Sequence, residues 1–138
     1  MFLILRELFG KDPRARYIEN GYFGELLSPK QEPMQLDWYC EIHLDGEVIR
    51  IAYEHQGRQH FKHNPVMMSK AAYRYLRRCD HLKARRCQEL GIALVPIRYD
   101  DPLTPEFLAH RLAYLYPELA ARLREAGFLA NHGTHEVE

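Results

Sequence analysis

Asp37 and Glu54 are the two residues whose type and spacing most directly suggest chemistry. Asp45-Gly46 lies between them as a hairpin turn signal, with Asp37 eight residues before Asp45 and Glu54 nine after it. Strands that fold back at that turn bring the two carboxylates together across the pair. Carboxylates so placed repel, and each raises the other's pKa unless a cation joins them. A hard divalent ion such as Mg²⁺ meets that need, because it takes oxygen ligands and keeps several waters. Held there, it could bind a phosphate oxygen, acidify a water and stabilise a leaving oxygen. An acid on a strand is more often simply solvated, so the surrounding residues must decide.

The elements that would position the pair can be read from pattern. Gln35–Leu44 alternates Leu36, Trp38, Cys40 and Ile42 on one face with Asp37, Tyr39, Glu41 and His43 on the other. Glu47–Gln56 is the returning strand, with Glu54 near its far end. A shorter strand is expected over Tyr22–Leu27, followed by a loop through Pro33. Gly57–Val66 reads as a loop. A long helix follows, about Ser69–Leu90, capped by Ser69 and ended by Gly91. Its apolar stripe is Ala72, Leu76, Cys79, Leu82 and Leu90. Ile92–Tyr99 reads as a buried strand in which Pro96 calls for an edge or a bulge. Thr104-Pro105-Glu106 starts a helix, Pro117 restarts it, and Gly127 ends the pair. With a first helix over Phe2–Phe9 stopping at Gly10, the order is α, β, β, β, α, β, then C-terminal helices. One domain is expected, with a core of about 17–101, a helical extension of about 104–129 and a disordered tail over 130–138.

Composition narrows the class. With 46% hydrophobic and 28% charged residues, the chain can build a core and is not a disordered polymer. No apolar run approaches the roughly 18 residues of a membrane span, and no signal peptide is read at the start. Three cysteines at wide spacings, Cys40, Cys79 and Cys87, fit neither a disulfide framework nor a zinc site. They imply a reduced, cytoplasmic setting. The formal charge of zero hides an asymmetry: residues 50–99 hold 11 Lys/Arg against 3 Asp/Glu, a net +8, and the segments on either side are each −4. A basic centre between acidic ends suits a phosphate-binding face, and equally a single solvated basic helix.

A family resemblance follows from two blocks. Leu36-Asp37-Trp38-Tyr39 with Ile51-Ala52-Tyr53-Glu54-His55-Gln56-Gly57-Arg58-Gln59-His60-Phe61, and then Asp80-His81-Leu82-Lys83 on the helix, resemble endonuclease-like proteins of phages, large DNA viruses and bacteria. These are related to very-short-patch repair endonucleases and, more distantly, to the PD-(D/E)xK restriction enzymes. The resemblance covers about Leu36–Tyr99 and is most specific in EHQGRQH and D-x-x-K. It implies an α/β fold with a restriction-endonuclease-like αβββαβ core and mixed sheet, and a Mg²⁺-dependent endodeoxyribonuclease in which Mn²⁺ can substitute.

On that resemblance, Asp37 and Glu54 are metal ligands, joined by the backbone carbonyl of His55. Gln56 stands where the wider pattern has a lysine; it can orient a water or phosphate but cannot take a proton. His60 is the expected proton acceptor, ahead of His55 and His63. Lys83 would touch the scissile phosphate, with Asp80 in support, although their i, i+3 spacing also suits a surface ion bridge. Arg58, Lys62, Arg74, Arg77, Arg78, Arg85 and Arg86 are expected on the DNA backbone, giving affinity without a sequence code. The partner is DNA; no membrane is expected, and a homodimer or a place in a larger protein or complex is open. The alternative is a non-catalytic DNA-binding or assembly module that retains the fold.

Overall fold

The computed structural model describes residues 1–57, 63, 64, 66 and 68–129. It is an α/β chain. α1 (Phe2–Leu5) passes directly into a π-type turn over Arg6–Gly10. Three strands follow, β1 (Ala15–Leu27), β2 (Pro33–Leu44) and β3 (Glu47–Gln56). Then come α2 (Lys70–Leu90), β4 (Ile92–Arg98), α3 (Pro105–Leu115) and α4 (Pro117–Glu125). The sheet order is β1-β2-β3-β4.

Local chemistry accounts for each junction. Asp45 and Gly46 have φ of 53° and 80°, the two positive values of a type I′ turn, so β2 and β3 form a tight antiparallel hairpin. The loop between neighbouring β1 and β2 is too short for a parallel crossover, which needs a dozen residues or more. β4 runs parallel to β3, with Glu54 opposite Pro96 and Gln56 opposite Arg98, and α2 supplies the crossover. The sheet is therefore mixed. β4 lies at its edge, where a proline lacking its N–H is tolerated.

The caps are as expected. Ser69 Oγ accepts from Ala72 N–H at 3.1 Å and Thr104 Oγ1 from Phe107 N–H at 3.1 Å. Gly91 closes α2 in the left-handed region, at φ 75°. Two elements differ from the sequence reading. β1 begins at Ala15, seven residues before Tyr22, because the strand carries Asn20 at φ 54° without ending there. Ala72 is exposed, and the buried side of α2 is instead formed around Cys79, Leu82, Cys87 and Leu90.

The chain divides into two compact units. One is built from residues 1–17, 40–49 and the described residues from 101 on. It buries Leu5, Phe9, Ile42, Leu108, Leu112 and Leu123 completely, each worth about 1.5–3 kcal/mol of apolar transfer. Arg122 joins Glu47 at 2.7 Å within it. The other unit holds residues 18–39 and 50–100. Its core packs Leu26, Leu36, Tyr39, Ala52, Cys87 and Ile92, while Trp38 and Tyr53 meet edge to face at 6.3 Å. No described helix is long and apolar enough to cross a membrane. The tail over 130–138 lies outside the described residues.

Candidate functional site

Asp37 on β2 and Glu54 on β3 meet as the hairpin arithmetic predicts. Asp37 N–H donates to Glu54 Oε2 at 2.6 Å, and His55 N–H donates to Asp37 Oδ2 at 2.8 Å. Each carboxylate thus holds a backbone amide of the opposite strand, which fixes both side chains. Lys83 Nζ, reaching in from α2, donates to Glu54 Oε1 at 2.9 Å. Both oxygens of Glu54 are therefore engaged, whereas among the described residues no donor reaches Asp37 Oδ1.

The sequence folds this way because Glu54 is one of only two buried polar side chains in the described core, at 8% exposure. A carboxylate removed from water needs a charge and hydrogen bonds to survive there. Burial pushes its pKa above the ordinary 4.5; Lys83 opposes that rise, and Asp37 adds to it. Burial is the largest of these effects, so the direction is upward. The same cluster acts on Cys87, one turn beyond Lys83: burial, reinforced by Glu54, lifts its thiol to about 11. Cys87 is therefore a packed thiol and not a nucleophile.

The other expected site residues fall into three groups. Gln56 is half-buried at the end of β3, on the same side of that strand as Glu54 by alternation, and His55 is exposed. His63 is tied to its loop: Nε2 lies 3.1 Å from Met68 O and the ring packs on Tyr73 at 5.2 Å. Asp80 is half-buried on α2, and Arg74, Arg77, Arg78, Arg85 and Arg86 are exposed there. Arg77 donates to Tyr73 Oη at 3.1 Å, and Arg86 lies 3.8 Å from Glu89. Arg58, His60 and Lys62 lie outside the described residues.

Two features escaped the sequence reading. Lys83 was expected on a phosphate, yet its ammonium is bound to Glu54. Its place four residues from both Cys79 and Cys87, inside an apolar stripe, is the signal that it needs a buried partner. Arg50 was not singled out at all. It donates to Tyr39 Oη at 2.6 Å, Leu90 O at 3.2 Å and Glu25 Oε1 at 3.0 Å, pinning β1, β2 and the end of α2 around β3. Its value is to hold the frame behind the carboxylates.

The donor set suits a hard divalent cation: two carboxylates, with one oxygen still open among the described residues and the nearby Cys87 thiol held protonated by burial. No group of three or more His, Cys, Asp or Glu side chains converges among the described residues. The protein would thus supply two carboxylates and leave other positions to water and backbone carbonyl, which is how Mg²⁺ is often held.

Compared with protein-family models, with curated proteins and with solved structures, the chain matches none of them. What the site does must follow from its own geometry.

Proposed function

We propose that the chain is a metal-dependent endonuclease of the PD-(D/E)xK type, close to the very-short-patch repair branch, hydrolysing phosphodiester bonds in DNA. The observation that carries this reading is the reciprocal pair: Asp37 and Glu54 locked against each other's strands, with a lysine ammonium on Glu54. A buried acid with a raised pKa beside a second acid and a lysine is costly to keep, and such arrangements concentrate at functional sites. The αβββαβ order and the mixed sheet are compatible with a restriction-endonuclease-like core.

In this reading Asp37 and Glu54 hold Mg²⁺ or Mn²⁺, with the carbonyl of His55 as a further ligand. The ion, when bound, supplies positive charge at a phosphate oxygen and makes its water more acidic. Lys83 then has two tasks. It opposes the protonation of Glu54, and in this reading its ammonium turns to a phosphate oxygen once a cation is held. Gln56 orients a water or phosphate through its amide, and His60 accepts the proton. The α2 arginines neutralise backbone phosphates.

The test is incubation of supercoiled plasmid with the purified chain in Mg²⁺ or Mn²⁺, with EDTA and with Asp37→Ala and Glu54→Ala. Nicking or linearisation that needs metal and both acids is the expected result. A folded chain that retards DNA but never cuts it would replace this reading with that of a binding module.

A further inference from the structure

The arginines of α2 do not share one face. At about 100° per residue, Arg74, Arg78, His81 and Arg85 fall along one exposed stripe, about 140–180° around the axis from Lys83. Lys83 points to Glu54, so this stripe is turned away from the carboxylates. It spans about 16 Å at 1.5 Å per residue. Pro29, Arg78, His81, Leu82 and Arg85 line an open cleft of about 430 Å³ beside it. Lys30, in the loop that carries Pro29, lies over the Tyr75 ring at 4.5 Å and brings another cation to this side.

The stripe's charge is unanswered. Four arginines elsewhere in the chain are answered by carboxylates: Arg14 by Asp12 at 2.8 Å, Arg50 by Glu25 at 3.0 Å, Arg98 by Asp100 at 3.0 Å and Arg122 by Glu47 at 2.7 Å. Among the described residues, Arg74, Arg78 and Arg85 have none. In a chain of zero formal charge three such arginines along one helix face are a local excess, repulsive in itself, which an anionic occupant would relieve.

We propose that this outer stripe of α2, with the Pro29–Lys30 loop, is a second phosphate-binding track for duplex DNA, separate from the carboxylate site. The chemistry selects the occupant. A protein partner would need an apolar anchor at the centre of the contact, and α2 exposes no large apolar side chain among its described residues. An anionic membrane would call for an apolar face to insert, which is missing for the same reason. A straight row of cations on one helix suits a phosphate backbone, which offers a negative charge about every 3.4 Å along each strand. Because the row faces away from Lys83, the phosphates it holds are not the scissile one. The track adds affinity from a flanking stretch or a second segment of duplex. It deepens the nuclease reading, yet binding here needs neither metal nor cleavage.

The experiment measures binding of a fluorescent mixed-sequence 25-base-pair duplex in EDTA over a range of salt, for the wild type and for Arg74→Ala/Arg78→Ala/Arg85→Ala. All three side chains are exposed, so the variant should melt with the wild type. Each lost phosphate contact should make the slope of log K against log salt shallower by about 0.9. The triple variant should therefore lose about 2–3 in slope and at least tenfold in affinity at moderate salt. Arg77→Ala/Arg86→Ala, which alters the flanks of the helix, should lose less. Wild-type affinity and slope in the triple variant would overturn the track. So would a triple variant that loses binding to phosphatidylserine vesicles while keeping the duplex. Cutting plays no part in this readout: a chain that never cleaves can still show the track, and one that cleaves can lack it.

Discussion

Two carboxylate clusters in this molecule use the same parts and reach opposite ends. Asp12 accepts from Arg14 N–H at 2.9 Å, Arg14 Nε at 2.9 Å and Arg14 Nη2 at 2.8 Å. Glu54 likewise accepts from one backbone amide and one basic side chain. Yet Asp12 is driven down to about 2, chiefly by the arginine hydrogen bond, while Glu54 is driven up, chiefly by burial. Asp12 meets water and takes three hydrogen bonds from Arg14. Glu54 is buried, with Asp37 beside it and Lys83 on one oxygen. The first arrangement is complete. The second lacks positive charge, and that deficit is what a cation would supply.

The largest expected effect comes from worsening the deficit. Lys83→Met keeps an unbranched stem on the same face of α2 as Cys79 and Cys87 but removes the ammonium. Breaking a buried ion pair from one side commonly costs 3–5 kcal/mol. Glu54 can escape part of that by taking a proton, so a loss of about 3 kcal/mol at pH 8 is expected, and less at pH 5. Millimolar Mg²⁺ should restore part of it, because a bound ion stabilises the state that binds it. Urea unfolding at both pH values, with and without Mg²⁺, measures this. Equal loss at both pH values would show that Lys83 contributes packing alone.

A smaller effect should come from Glu54 itself. Its folded pKa is raised above 4.5, so the folded state holds the proton more tightly than the unfolded chain. The contribution to stability is most favourable below 4.5 and declines as pH rises through the raised value. Glu54→Gln removes that decline. The wild type should therefore lose stability relative to the variant as pH is raised from 4.5 through this window, as followed by urea midpoints. Parallel pH profiles would mean that Lys83 fully offsets the burial.

These clusters also show what the sequence could and could not disclose. The approach of Asp37 and Glu54 was legible because a two-residue turn fixes register, and register fixes which residues face each other. The caps at Ser69 and Thr104 and the stop at Gly91 were legible because each is a local hydrogen bond or a local φ. The early part of β1 was not. Asn20-Gly21 is a turn signal, but pairing with β2 carries the strand across it. Ala72 was misplaced because helical period assigns a face without knowing how far the neighbouring sheet extends. The Lys83–Glu54 bond spans 29 positions and depends on how the crossover helix settles, which local pattern does not encode. Arg50 was missed for a similar reason, since its three partners come from three distant segments.

The smallest expected effect tests the satisfied cluster. Both Asp12 and Arg14 meet water, so the pair contributes little at neutral pH. Its sign is opposite to that of Glu54. With a folded pKa near 2 against an ordinary 3.8, the charged Asp12 stabilises the fold above 3.8 and loses that contribution as pH falls towards 2. Asp12→Asn preserves an acceptor for Arg14 N–H but removes the titration. Thermal unfolding should show the acid limb of the wild type flattened in this variant, with the decline above pH 4.5 untouched. Glu54→Gln should do the reverse. If both variants changed the same limb, the two acids would not be acting as independent clusters, and the contrast between a completed pair and a cation-seeking one would fail.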